Sequence, residues 1–334
     1  TQQIQNKRRT IMVIDIFNPQ VSVVAKGLEG KVITIYGSNN LGKTKQSTRM
    51  KKPLYLPFEK GLNAIAGVQF MPINSWADFK KVNKQLTKNA EKAKEMYQTI
   101  IVDEVDAFAK YATRYVCEQY DVERIKDGND GFGLWKEYET EVWEEINKLI
   151  GVGFTVIFIA HAAEDKKGKV YPKGDKRVLA PVIDNSDIVL YLSSNGVDED
   201  RKVIKSSAWL AETEEHFARS RFDYIDTYLP EFTAENLEKA IIEAVERQEQ
   251  AEGIVAVTYE EQKQNNASEE LDFNSLMDQI KEIGMKLNEE GRLEEVNEIT
   301  EKHLGKGVKV TECSRKQVGV MSVILDDLKD LLAE

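Results

Sequence analysis

Val32-Ile33-Thr34-Ile35-Tyr36-Gly37-Ser38-Asn39-Asn40-Leu41-Gly42-Lys43-Thr44 is the stretch that decides the fold. Its first five residues are an apolar, largely β-branched run with strand character. The next eight, Gly37 to Thr44, fit G-x-x-x-x-G-K-[ST] without a mismatch. In such a loop, backbone N–H groups and the N-terminus of the following helix cradle phosphates. Lys43 supplies a point charge to the outer phosphates, and Thr44 supplies a hydroxyl to Mg²⁺. The spacing therefore predicts a nucleoside triphosphate site.

A matching partner lies further on. Thr99-Ile100-Ile101-Val102-Asp103-Glu104 is a buried-strand run ending in two acids, the form of a Walker B element. Asp103 at the strand's carboxyl end would hold the Mg²⁺ that Thr44 also touches. Glu104 could polarise the attacking water or support the site as a second acid. Glu59, which closes the short apolar strand Pro53 to Phe58, competes for the same role.

A chain of 334 residues, 41% of them hydrophobic, can bury a full α/β core and leave material for a second small domain. We expect an α/β fold with a mainly parallel sheet flanked by helices and a small C-terminal helical domain. The boundaries are a lead-in segment 1–30, a core 31–250, a linker 251–270 and an acidic helical domain 271–334. There is no 20-residue apolar run, and Thr1 to Thr10 is polar with Lys7, Arg8 and Arg9, which predicts a cytoplasmic protein with no membrane contact. Cys117 and Cys313 are far apart, and His161, His216 and His303 form no ligand-spaced cluster with them, so neither disulfide nor zinc is expected.

The net charge is −11, but the acidity is concentrated in the tail, where residues 267–334 carry 9 Lys+Arg against 16 Asp+Glu. Basic residues bunch at Lys43 to Lys52, Lys80 to Lys94 and Lys166 to Arg177, which keeps a local polyanion-binding face open. A solvated charged surface is the plainer reading of the first two.

In chain order, Ile11 to Val24 reads as a lead-in strand and loop broken at Asn18-Pro19. Val68 to Ile73 reads as a strand, and the capping box Ser75-Trp76-Ala77-Asp78 opens a helix to about Glu95. A helix from Asp106 to about Tyr120 precedes the flexible loop Gly128 to Gly133, and Trp135 to Ile150 is amphipathic. Phe154 to Ala160 is a buried strand stopping at His161, followed by a basic loop. Asp187 to Leu192 and Lys202 to Ser206 are strands. Thr233 caps a helix to about Gln250. Residues 262–270 are polar linker, and helical periodicity returns in Phe273 to Leu287, Leu293 to Leu304 and Val318 to Leu332.

This order of parts resembles the RecA family of recombination ATPases, and within it the single-strand annealing ATPases of the phage Sak group. The motifs that carry the resemblance are the phosphate loop, a strand ending in Glu59, a strand ending in Asp103, a glycine-rich loop with a helix, a strand ending at His161, a basic loop, and Arg219-Ser220-Arg221. It covers about Lys31 to Pro230. It implies a RecA-like core using ATP and Mg²⁺, with Glu59 activating the hydrolytic water, His161 sensing the γ-phosphate, and Arg219 and Arg221 reaching a neighbouring subunit's nucleotide. Three positions depart from RecA itself, which has Gln at His161 and Lys at both arginines; hydrogen-bonding and cationic capacity are kept.

The resemblance implies a phage protein in the host cytoplasm that assembles as a ring or filament on single-stranded DNA and promotes annealing or strand pairing. A hexameric replicative helicase or helicase loader is the runner-up, and a nucleotide-switched scaffold with negligible turnover the third reading. Lys166, Lys167, Lys169, Lys173, Lys176 and Arg177, with Tyr171 as a stacking ring, are the expected DNA contacts. The acidic C-terminal domain repels DNA and suits a protein partner, such as a single-strand binding protein or a recombinase, as well as it suits an inert cap.

Overall fold

The computed structural model describes residues 16–17, 19–59, 65–266 and 271–333. The expected lead-in strand falls largely outside these residues; within them, 19–24 is irregular and Ala25 forms a single bridge to Val257. Among the described residues, 21–266 form one compact unit and 271–333 belong to a second.

Among the described residues the first unit holds nine strands: β1 (Val32–Gly37), β2 (Pro53–Pro57), β3 (Thr99–Asp103), β4 (Thr155–Glu164), β5 (Val170–Pro172), β6 (Ile188–Ser193), β7 (Ser207–Trp209), β8 (Arg219–Ser220) and β9 (Tyr228–Leu229). Their order is β2-β3-β4-β1-β6-β7-β9, with β5 beside β4 and β8 beside β6. The run from β2 to β6 is parallel, and the later pairings are antiparallel. Parallel strands with helical crossovers are covered on both faces, which is why these strands are apolar throughout rather than alternating.

Helices α1 (Lys43–Ser47), α2 (Trp76–Lys88), α3 (Ala90–Met96), α4 (Val105–Gln119), α5 (Trp135–Val152), α6 (Lys176–Ile183) and α7 (Ala234–Glu252) complete the crossovers and flanks. One face packs an aromatic cluster in which Phe108 of α4 meets Phe79 of α2 at 5.4 Å and Phe158 of β4 at 5.6 Å, both edge-on. On the other face Ile33, Ile35, Ile157 and Ile188 pack with Leu237 and Ile241 of α7. Side chains one position apart along β1 and β4 serve opposite layers. The register sets Gly37 opposite His161 and Pro57 opposite Asp103, so the carboxyl ends of β1, β2 and β3 share one rim with His161 of the longer β4. That rim is where an open α/β sheet places a ligand crevice.

Several elements differ from the sequence reading. The helix expected to reach Glu95 stops at Lys88: Ser75 caps its start by accepting from the Asp78 amide, but Asn89 takes a non-helical conformation and begins α3. Residues 68–73 form no strand, only a bridge from Phe70 to Tyr55. Residues 202–206 form no strand either, and the pairing begins at Ser207. The helix after the phosphate loop is short, ending at Ser47 before a turn into β2.

The stretch read as linker is half helix. Thr258 and Glu261 make a reciprocal capping box for α8 (Tyr259–Asn265). The Tyr259 hydroxyl donates to the Ile150 carbonyl at 2.5 Å, and its ring covers Gly30 so closely that a Cβ there would come within 2.0 Å. Residues 267–270 lie outside the described residues.

The second unit contains α9 (Phe273–Glu289), α10 (Leu293–Leu304) and α11 (Val318–Ala333). Leu276, Ile280 and Leu287 from α9 and Met321, Ile324 and Leu328 from α11 form its own apolar core. Asp272 caps α9 by accepting from the Ser275 amide.

Candidate active site

The phosphate loop is shaped by two glycines. Gly42 precedes α1 with φ +85, a left-handed conformation that side chains disfavour. At Gly37 a Cβ would lie 2.8 Å from the Leu192 carbonyl oxygen of β6, so the loop leaves the sheet only if this position is bare. Ser206 donates to the Leu41 carbonyl at 3.0 Å and braces the loop from the β7 side.

Lys43 is 7% exposed, and its Nζ donates to the Gly37 and Ser38 carbonyls at 2.8 and 2.7 Å. Burial holds its pKa below the ordinary lysine value, with Asp103 and Glu104 opposing. The ammonium is thus enclosed by the carbonyls of its own loop.

Thr44 Oγ1 donates to Asp103 Oδ2 at 2.6 Å, and the Tyr55 hydroxyl donates to the same oxygen at 2.9 Å. Burial raises the Asp103 pKa, and these two hydrogen bonds pull it back. A hydroxyl and a carboxylate converging at the end of β3 are hard oxygen donors suited to Mg²⁺. Thr44 and Asp103 therefore fit the cation that the motif implies.

Beyond Asp103, three side chains from three neighbouring strand segments converge. Glu59 follows β2, Glu104 follows β3, and His161 lies within β4. One ligand atom from each lies within 4.8 Å of the others. Glu104 is 4% exposed, and burial followed by the charge of Glu59 pushes its carboxyl up to about 8. His161 Nε2 stands 2.7 Å from Glu104 Oε2. Burial, then the nearby Lys43 ammonium, lowers the His161 pKa. A carboxyl kept protonated near neutrality is a poor base, which leaves the exposed Glu59 better suited to accept a proton from water.

The strand that carries His161 does not stop there. β4 continues to Glu164 and folds back on β5, pairing Ala162 with Pro172, Ala163 with Tyr171 and Glu164 with Val170. The basic loop read from the sequence is thus a hairpin, its turn closed by Asp165 Oδ1 accepting from the Lys167 and Lys169 amides. Lys166, Lys167 and Lys173 are exposed. Lys169 pairs with Glu212 at 2.6 Å, and Tyr171 stacks on Phe217 at 6.1 Å. Lys176 and Arg177 open α6, where the Arg177 guanidinium covers the Trp135 ring at 4.8 Å. Trp135 begins α5 directly after the Gly128 to Gly133 loop, whose Phe132 is 83% exposed.

Arg219 and Arg221 stand apart from this rim. β8 pairs Arg219 with Val189 and Ser220 with Ile188, at the amino end of the β6 strand whose other end lies beside Gly37. Arg219 Nη2 donates to the Ile183, Asp184 and Ser186 carbonyls at 2.9, 2.7 and 2.9 Å and so closes the end of α6. Arg221 is more open, with Asp187 at 3.4 Å and the Asp184 carbonyl at 3.2 Å.

Tyr55 and Ser206 were not singled out from the sequence. Tyr55 carries a readable signal, since it is a polar-tipped aromatic in an apolar strand next to the acid-ending strand. Nothing local marks Ser206, which reaches the loop only through the pairing of β7 with β6.

No helix among the described residues is long and apolar enough to cross a membrane. A family model described as an AAA domain matches residues 29–222. The match spans more than half of the chain and takes in the phosphate loop, the Asp103 strand, the Glu59–Glu104–His161 cluster and the basic hairpin. The chain belongs to this AAA-domain family of P-loop ATPases.

Proposed function

We propose that this ATPase is a DNA-recombination protein of the Sak type, binding single-stranded DNA and promoting annealing or strand pairing with Mg²⁺-dependent ATP hydrolysis at subunit interfaces. The observation that carries this reading is β4 itself, which holds His161 at the rim and runs unbroken into the basic hairpin. A group near the terminal phosphate and a cationic surface then share one rigid element, and a shift at one end is felt at the other. Lys166, Lys167 and Lys173 offer free ammoniums to a phosphate backbone. Phe132 offers an exposed ring for base stacking, linked to the hairpin side by the Arg177–Trp135 contact.

At the rim, Lys43 would exchange its loop carbonyls for phosphate oxygens, and Thr44 and Asp103 would hold Mg²⁺, which would supply charge neutralisation. Glu59 accepts the proton of the attacking water. Arg221, the less committed of the two arginines, is the candidate for reaching a neighbouring subunit's nucleotide. The acidic helical unit is a poor DNA surface and suits a protein partner.

The deciding experiment measures ATP turnover with and without single-stranded DNA, together with annealing and unwinding of labelled oligonucleotides. Stimulated turnover with annealing and no unwinding supports the reading. Unwinding would move the protein to the helicases, and turnover indifferent to DNA would remove nucleic acid from its function.

A further inference from the structure

We propose that Glu59, Glu104 and His161 form a binding site for a borderline divalent cation of the Zn²⁺ or Co²⁺ type, separate from the Mg²⁺ pair Thr44–Asp103. The three ligand atoms come from the ends of β2 and β3 and from within β4, and all lie within 4.8 Å of one another. Carboxylate oxygen and imidazole nitrogen are both zinc ligands, and three protein ligands with a solvent-facing side match the open count of reactive rather than purely structural zinc sites. The imidazole separates this trio from Thr44 and Asp103, whose oxygen-only donors favour Mg²⁺.

A second observation points to a ligand. Glu104 is 4% exposed, and its Oε2 is a fully enclosed oxygen with no hydrogen-bond partner, although His161 Nε2 faces it at 2.7 Å. The two atoms approach without the alignment of a hydrogen bond. A buried carboxyl oxygen outside any hydrogen bond is costly, and a cation shared with the imidazole and Glu59 would take the place of a proton there and satisfy it. The strand register holds the geometry: β2 pairs Pro57 with Asp103, β3 pairs Asp103 with Ile159, and His161 is the next inward position on β4. The sheet therefore sets the spacing of the site, with His161 inside β4 and Glu59 and Glu104 within two residues of the ends of β2 and β3.

Occupation has a functional consequence. A Zn²⁺ ion there would engage the lone pairs of Glu59 that the proposed hydrolysis needs, while leaving Lys43, Thr44 and Asp103 available to nucleotide. Zn²⁺ would then slow turnover without displacing ATP. This consequence rests on the proposed hydrolytic role of Glu59; the binding site itself does not.

The test is titration of the full chain with Zn²⁺ by calorimetry, and with Co²⁺ by visible absorption, in excess Mg²⁺ and without nucleotide or DNA. One site per chain is expected. Outer partners of metal ligands are themselves worth about 10- to 100-fold in affinity, so losing a ligand in Glu104→Gln or His161→Ala should weaken binding by about 100-fold or more. Glu59→Gln, at an exposed position, tests the same site without disturbing the interior, and Thr44→Ala should leave Zn²⁺ binding intact. Binding that survives all three ligand substitutions, or no binding below millimolar Zn²⁺, would overturn the proposal. If DNA fails to stimulate turnover while the Zn²⁺ site is present, the functional reading falls and the metal site stands.

Discussion

Thr44 Oγ1 lies 2.6 Å from Asp103 Oδ2, tying residues 59 positions apart and joining the phosphate loop to the end of β3. Lys43, enclosed beside this contact, contributes charge rather than apolar packing. Lys43→Ala should therefore abolish hydrolysis while far-ultraviolet circular dichroism stays that of the native protein. Wild-type turnover in this variant would remove the assignment of the site.

Glu59 and Glu104 should separate in kinetics as they do in burial. A general base contributes about 10²- to 10⁴-fold, so Glu59→Gln should slow hydrolysis by that order and still bind nucleotide. Glu104→Gln should cost less, because its carboxyl is held protonated near neutrality by burial and by Glu59. The opposite ranking in single-turnover rates would make Glu104 the base.

The two arginines of β8 should fail differently. Arg219 closes three carbonyls, and charged hydrogen bonds are worth about 1.5–3 kcal/mol, so Arg219→Ala should lower stability by about 2–3 kcal/mol in urea unfolding. Arg221→Ala removes a half-exposed ion pair and should cost less than about 1 kcal/mol. An arginine supplied in trans is worth about 10³- to 10⁵-fold in rate. Arg221→Ala should then lose turnover and recover part of it when mixed with Lys43→Ala protein, and verified mixed assemblies without recovery would argue against a role in trans.

The hairpin cations should appear in the salt dependence of DNA binding. Each phosphate contact to a single strand contributes roughly 0.7 to the slope of log affinity against log salt. Replacing Lys166, Lys167 and Lys173 by Ala should flatten that slope by about two units for every sequence alike. Lys169 is left in place because it already pairs with Glu212. An unchanged slope would shift attention to Phe132 and its loop.

Lys31 gives a pH prediction at the amino end of β1. It is 8% exposed, and burial lowers its pKa from 10.5 to about 8 against the pull of Asp187 and Glu29. The unfolded chain therefore holds the proton more tightly than the fold, so stability rises with pH between about 8 and 10.5. At about 1.4 kcal/mol per pH unit the rise is about 3 kcal/mol. In Lys31→Met that rise should vanish, read as the difference between the two proteins' urea midpoints at each pH. Parallel curves would show that the amine is not desolvated.

The phosphate loop and Asp103 were legible because a fixed local spacing encodes them, and the strand feeding each is a plain apolar run. The convergence of Glu59, Glu104 and His161 was legible only as separate strand ends, since their proximity depends on which strands are neighbours. The hairpin looked like a loop because Lys166 to Arg177 is polar and basic, with no alternating apolar face to reveal β5. Arg219 read as a free cation for the same reason: its three carbonyl partners lie more than thirty residues away in sequence. The C-terminal helices were readable throughout because each repeats its apolar positions at helical spacing.

Tyr259 marks where the molecule can be divided. Its ring closes the surface over Gly30 and Gly153, and its hydroxyl holds the Ile150 carbonyl, so it acts as a plug contributed by a segment whose composition resembles a tether. The compact unit that carries the phosphate loop ends at Asn266. A chimera that joins a foreign module there inherits a sealed ATPase body, whereas a cut ahead of Thr258 takes the stopper away and uncovers the two glycines.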